Sequence, residues 1–343
     1  YLIFCFTGKY CTDSTFAART YCYNWKNCIW EKKYLERLGL SEKNFPKVIH
    51  SGSCAGILTN EWTKLLSLQG RIPVHIGAHD HVCACYGIQQ KGKIRICDSM
   101  GTAETFLSLT TEKLTYKEAY ERGCILGPFP GQKSFWMSNI SSAGESVEWV
   151  RTRLQKEEIS YDEICTYLKK TEAPTGILYL PFLSGMGAPK YQAGVKGAFI
   201  GLEKTQGIAE LIRAVMEGVS YHEKWILDEG KVGEEELVCV GGAVNNPYWM
   251  QIKADVLGKK LISLKNTEVT LFGAVGLMIL DQRGETALLK FQSALWKECR
   301  IYFPEKEKTL LYEKIYRQYR EFIRIYINYG NRREKYENIC GCR

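Results

Sequence analysis

Paired metal ligands are missing from this chain. None of its 14 cysteines forms a Cys-x-x-Cys pair, and histidine is scarce at five in 343 residues. Zinc ribbons and fingers, whose ligands come in such pairs, are thereby excluded. Long apolar runs are missing too. Even YLIFCF at residues 1–6 is far short of the roughly 20 residues that cross a bilayer, so no membrane partner is expected. No basic stretch precedes that run, and a signal peptide is not expected either. The first residue is Tyr1 rather than Met, from which natural sequence upstream is expected. No short-period solenoid repeat occurs.

What is present reads as globular, with 45% hydrophobic and 24% charged residues and length enough for two domains. The cysteines lie in segments that read as core: Cys97 in a strand, Cys83 and Cys85 in a helix, Cys239 beside a glycine turn. Reduced thiols in a cytoplasmic protein are therefore expected. The net charge is +8, and half of it sits in residues 317–343, with seven Lys/Arg against three Asp/Glu. Nearby, Tyr312, Tyr316, Tyr319, Ile323 and Tyr326 recur at spacings of four and three, the buried stripe of an amphipathic helix whose arginines face water. No nucleic-acid-binding motif accompanies this charge, and no nucleic-acid partner is expected.

From residue 91 the pattern is legible. KIRICDSMGTAETFLSL alternates on both sides of a Met100-Gly101 turn, which predicts a β-hairpin. Residues 144–155 read as helix, GILYLPFLSG as a short strand ending in a loop, and KGAFIGL as a further strand. A long helix follows, with Ile208, Leu211, Ile212, Val215, Val219 and Ile226 on one face. ELVCV has the apolar character of a parallel strand; it runs into GGAVNNP and the helix YWMQIKADVLG. EVTLFGAVGLMIL predicts a closely packed helix rich in Gly and Ala. Strands alternating with helices argue an α/β fold. Earlier, NWKNCIWEKKYLERLGL predicts an amphipathic helix ending at Gly39, and RIPVHIG a strand feeding into Asp80.

Three features bear on a nucleotide. Gly241-Gly242-Ala243 joins a strand to a helix, where glycines admit a phosphate to the backbone and the helix N-terminus offers free N–H groups. Close packing of helix on sheet explains the same glycines. Pro247 suits a first helical position and makes Asn246 the N-cap. At the hairpin tip, the amides of Gly101 and Thr102 and the Thr102 hydroxyl offer donors to phosphate oxygens, though any tight hairpin favours glycine. In GAHDHVCACYG, Asp80 ends a strand, where ligand sites gather in open α/β sheets. A carboxylate there can take the proton of an attacking hydroxyl; it can equally be the N-cap of helix 81–87. His79-x-His81 also resembles half of a two-histidine metal site, without further ligands in ligand-spaced positions.

Together these residues resemble the FGGY carbohydrate kinases, a branch of the actin-like ATPase superfamily with a ribonuclease H-like fold. GAFIGLEKTQGIAELIRAVME, residues 197–217, is similar to that family's long downstream signature through Gly197, Phe199, Gly201, Leu202, Glu210, Leu211, Ala214 and Glu217. DSTFAART, GAHDHVCACYG, SMGTAETF and VGGAVNNPYWMQIKADVLGKKL follow in the family's order. The resemblance implies a general base at Asp80, sugar contacts at His81 and Asp13, and ATP phosphates held at Gly101 and Thr102. It implies that Gly144 lies near the same cleft, that Gly242 and Ala243 run along the nucleotide, and that Asn246 faces adenine. ATP and Mg2+ are the implied cofactors, a sugar or polyol of pentulose type the implied acceptor, and a homodimer a common state in the family. The expected domains are a remainder of the sugar-binding lobe over 1–90, a complete nucleotide-binding lobe over 91–330, and a basic tail over 331–343.

Two departures accompany the resemblance. The family's opening strand and hairpin, with an Asp and a Gly-Thr phosphate loop, are not found. Residues 1–343 alone are therefore expected to be a fragment with little kinase activity. Met186-Gly187 stands where many relatives carry Glu-Arg, which implies a different sugar or a differently shaped cleft. Two other readings stay open: a non-catalytic sugar- or nucleotide-binding relative, and a metal hydrolase built on His79 and His81.

Overall fold

The computed structural model describes residues 1–340 apart from 91, 92, 111, 113, 232, 234, 235, 266 and 267. Residues 341–343 of the expected basic tail, and the side chains of 329–340, lie outside the described residues. A seven-stranded mixed sheet organises the larger part of the chain. Its strands are β1 (Arg95–Met100), β2 (Glu104–Thr110), β3 (Ile125–Phe129), β4 (Lys133–Ile140), β5 (Glu236–Val240), β6 (Leu261–Leu264) and β7 (Cys299–Tyr302), in the order β7-β6-β5-β1-β2-β4-β3. The predicted hairpin is β1–β2, with Met100 opposite Glu104. β5 is parallel to both β1 and β6, as its unbroken apolar run requires of a strand covered on both faces.

Strict alternation sends neighbouring side chains to opposite faces. Ile96, Phe106, Leu237, Cys239 and Leu261 join one core layer; Cys97, Leu107, Val238, Val240 and Ile262 join the other. The first layer is closed by α3 (Gly144–Arg153), α4 (Ile208–Glu229), α5 (Pro247–Leu257) and α7 (Lys306–Cys340). On α7 the predicted stripe is real: Tyr312, Tyr316, Tyr319 and Ile323 are buried, and Tyr326 packs partly against them. The second layer is closed by α2 (Asp80–Ile88) and α6 (Val269–Leu295), the latter kinked at Gly284. These two helices touch backbone to backbone. A Cβ on Gly273 would lie 1.8 Å from the Cys83 carbonyl oxygen, so only glycine permits the contact.

Residues 1–79 form a smaller unit of short elements. Cys11–Asp13 pairs in parallel with Lys47–Ile49, and α1 (Ser14–Ala18) follows directly. One expectation fails here. Residues 24–39 are not a single helix: Tyr23–Asn24 and Ile29–Trp30 form a two-stranded turn, and only Lys32–Arg37 is helical. The cause is local. Asn24 accepts the Asn27 N–H and donates to Glu31, while Cys28 adopts left-handed backbone at φ 56°, all of which compete with a helical ladder.

Candidate active site

β1 and β5 lie side by side with Ser99 opposite Val240, so their C-terminal ends release two loops at one place. One is the tip Gly101–Thr102, the other Gly241–Gly242. This is the carboxyl edge of parallel strands, where open α/β sheets bind ligands. Gly144 joins them. Its N–H donates to the Gly101 carbonyl at 3.1 Å, and the Glu145 N–H donates to the Thr102 carbonyl at 3.0 Å, so the start of α3 clamps the tip.

The glycines here have different reasons. A Cβ on Gly144 would lie 2.3 Å from Gly101 O, and one on Gly241, at φ +99°, would lie 2.6 Å from Met100 O. Packing requires both. Gly242 is different: it is exposed, and a Cβ on it would meet nothing within 4 Å. Its bareness serves no contact inside the chain and leaves the backbone open to an approaching group. Ala243 is half-buried beside it. Asn246 is the N-cap of α5, its side-chain oxygen accepting the Tyr248 and Trp249 N–H groups at 3.1 Å each, with Pro247 at the first helical position.

Asp80 reaches the same edge by a separate route. α2 runs antiparallel to β1, because Arg95 at the start of β1 donates to the Ile88 carbonyl at the end of α2, and Cys85 donates to Leu107 O further along. From Ile88 back to Asp80 the helix climbs about 12 Å at about 1.5 Å per residue. β1 climbs about 17 Å from Arg95 to Met100 at about 3.4 Å per residue. Asp80 therefore stands at the end of the sheet from which both loops emerge. Its side chain is 66% exposed, and it occupies the first helical position rather than the cap, which is His79. Its Oδ1 accepts from the His81 N–H at 2.8 Å and lies 2.9 Å from His79 Nδ1. Burial pulls both His79 and His81 below the ordinary histidine range, so both rings are neutral at pH 7.

Asp13 faces inward. Its carboxylate is fully buried and accepts from Thr15 N–H, Thr15 Oγ1, Phe16 N–H and Ser51 Oγ. An open cavity of about 420 Å³ between Phe4, Tyr10, Thr12 and Phe45 lies beside the strand that ends in Asp13 but is lined by none of these site residues. Among the described residues, the cluster of metal-type ligands is Asp98, Glu104 and Glu223, and neither His79 nor His81 belongs to it.

That cluster is the feature the sequence did not disclose. Lys253 on α5 points into it and pairs with Asp98 at 2.5 Å, with Glu223 at 2.8 Å and with Glu104, all four side chains being buried. Asp98 and Glu104 flank the Gly101–Thr102 tip on β1 and β2, while Lys253 follows the Gly242 loop. The lysine thus ties both loops together from beneath. Burial alone lowers its pKa, but the three carboxylates overcome that and hold it well above the ordinary value. Burial pushes Glu104 and Glu223 up, so the cluster holds fewer charges than its formal count.

The profile of the FGGY family of carbohydrate kinases, C-terminal domain, matches residues 98–280, and that of the N-terminal domain matches residues 1–87. The chain belongs to the FGGY family of carbohydrate kinases. It is 29% identical over 332 residues to the glycerol kinase of Thermococcus kodakarensis, covering 94% of this chain and 64% of that one. It is 26% identical over 331 residues to the xylulose kinase of Staphylococcus xylosus, covering 93% and 66%. Among solved structures, ligand-bound xylulose kinase from Lactobacillus acidophilus superposes with a TM-score of 0.84 at 21% identity, over 94% of this chain and 66% of that one. The FGGY chain described here thus spans just under two thirds of the length of these relatives. No helix among its described residues is long and apolar enough to cross a membrane.

Proposed function

We propose that this chain supplies most of an ATP-dependent kinase that phosphorylates a hydroxyl of a sugar or polyol. The observation that carries the reading is Gly242, open to solvent at the strand edge shared by the Thr102 tip and Asp80. The Gly101 N–H is spent on the Ala103 carbonyl at 3.1 Å, so the Thr102 amide and hydroxyl are the donors to phosphate oxygens, while Gly242 and Ala243 line the nucleotide and Asn246 faces the base. These groups fit a triphosphate, being backbone donors and a hydroxyl with no competing carboxylate on the loops. Mg2+ is held chiefly by phosphate and water, and it neutralises charge on the transferred group.

Asp80 is the general base. It receives the acceptor's hydroxyl proton as the freed oxygen bonds to the γ-phosphorus and the bond to the departing ADP oxygen breaks. His81 borders the acceptor and Asp13 stands behind it. A pentulose-type sugar is the acceptor we favour, supported by the xylulose kinases among the relatives. Residues 1–343 alone are proposed to turn over slowly, because a single Gly-Thr hairpin grips the phosphates where the family uses two.

Calorimetric titration of residues 1–343 with ATP and Mg2+, followed by ³²P transfer to xylulose and to glycerol, tests this. Binding that Thr102→Ala weakens about tenfold, from the loss of a hydrogen bond to charged phosphate, supports the reading. Failure to bind millimolar ATP removes it, and so does transfer undiminished in Asp80→Asn. Turnover matching a complete sugar kinase overturns the part concerning slow catalysis.

A further inference from the structure

His79 is held at both ends. Its backbone N–H donates to Thr15 Oγ1 at 2.7 Å, and that hydroxyl donates in turn to the buried Asp13 carboxylate at 2.7 Å. The Phe16 ring lies 5.7 Å from the imidazole. The side chain is 17% exposed where its neighbour Asp80 is 66% exposed. An aspartate so open to water would ordinarily turn freely about its last torsion, which is broad and two-fold. Here Oδ1 accepts the His81 N–H at 2.8 Å, and His79 Nδ1 stands 2.9 Å from the same oxygen. The carboxylate as a whole stays open to solvent.

We propose that His79 is the positioning residue for Asp80: its Nδ1–H pins Oδ1, so that Oδ2 is the atom presented to the acceptor hydroxyl, and Asp13 holds His79 through Thr15. The proposal rests on the reading of Asp80 as general base. It also assigns the buried Asp13 a role that its lack of solvent contact allows. The proton balance is simple. The hydroxyl proton moves to Oδ2, the Nδ1 proton stays on His79, and no second transfer is needed. The groups facing the imidazole are Asp80, Arg19, His81 and Asp13; burial, Arg19 and His81 lower its proton affinity, and the two carboxylates raise it. The ring is consequently neutral at pH 7 and must be the Nδ1–H tautomer to donate.

The test begins with long-range ¹H–¹⁵N NMR of residues 1–343, in which five histidines are few enough to assign. The expected result is an Nδ1–H tautomer at His79, and a His79 pKa that falls by roughly half a unit or more in Asp80→Asn as the attracting charge disappears. An Nε2–H tautomer, or a pKa unmoved in that variant, overturns the proposal and leaves Asp80 untouched. Single-turnover ³²P transfer then separates positioning from general disruption. His79→Ala is expected to slow transfer by about 10–100-fold with ATP affinity unchanged, the order lost when a reacting group is misplaced. His79→Asn, which keeps an N–H near Nδ1, is expected to restore most of it. Equal transfer in His79→Ala and the parent chain counts against His79 alone, whereas unimpaired transfer in Asp80→Asn removes the underlying reading instead.

Discussion

Replacing Lys253 by Met takes the only ammonium out of a site whose three carboxylates have ligand atoms within 4.8 Å of one another. Removing one partner of a buried ion pair leaves uncompensated charge and costs about 3–5 kcal/mol. A domain holds about 5–15 kcal/mol in all, so the variant should remain folded but lose a large share of its margin. The deficit should depend on pH in a definite sense. Burial raises Glu223 to about 8 in the folded chain, above its unfolded value, so stability present at low pH is lost as pH climbs through that range. Without the lysine Glu223 titrates higher still, so the loss runs on past the point where the parent's stops, and the gap between variant and parent should widen above pH 8. The assay is urea unfolding at several pH values, with ADP titration alongside. Because Asp98 and Glu104 flank the Thr102 tip, nucleotide affinity should fall at least about tenfold, roughly one hydrogen bond to charge. Lys253→Met with Asp98→Asn removes one charge of each sign and should recover most of the stability. A single variant within about 1 kcal/mol of the parent at pH 8, a change typical of an unremarkable site, would refute the idea that the lysine fastens the two loops.

Glu217 is fully buried and accepts from Thr175 and Tyr312, and burial raises its pKa to about 7 from 4.5. Stability should therefore fall as pH rises from 4.5 to about 7, by about 3 kcal/mol for this group; Glu217→Gln should flatten that slope in matched unfolding curves. Asn246→Ala should cost about 1 kcal/mol through the lost helix cap. Asn246→Ser should keep the cap, yet both variants should bind ATP more weakly if the amide faces adenine. Gly241→Ala should destabilise by about 1–3 kcal/mol, being forced into strained backbone. Gly242→Ala should leave melting unchanged while lowering ATP affinity, so calorimetry on the pair separates packing from ligand approach.

Much of this arrangement was legible because it is written in short-range pattern. Alternation on both sides of Met100 marks the hairpin, and Asn246-Pro247 after a glycine pair marks the start of α5. Where local chemistry competes with periodicity, the reading slipped: the spacing of residues 24–39 suits a helix, but the Asn24 turn interrupts it. Asp13 carries a second, local signal beside the family resemblance. An Asp followed by Ser-Thr-Phe is an N-cap pattern, and the carboxylate does cap α1. Lys253 offered almost nothing. It is one charge between Ile252 and Ala254, and its partners Asp98 and Glu104 lie 155 and 149 residues away. Pairings of that length are properties of topology, invisible in any window of the chain.

Although the N-terminal profile reaches residue 87, α2 is physically a wall of the large sheet, with Val82, Cys83, Cys85 and Ile88 in its core and Gly273 against its backbone. Asp80 therefore belongs to the same packed body as Thr102 and Gly242. On the proposed function, the spacing between the base and the phosphate-binding loops is thus fixed by one packed frame. Amino-acid changes before residue 79 should accordingly redirect which molecule is accepted, except at Asp13 and Thr15, which reach Asp80 through His79.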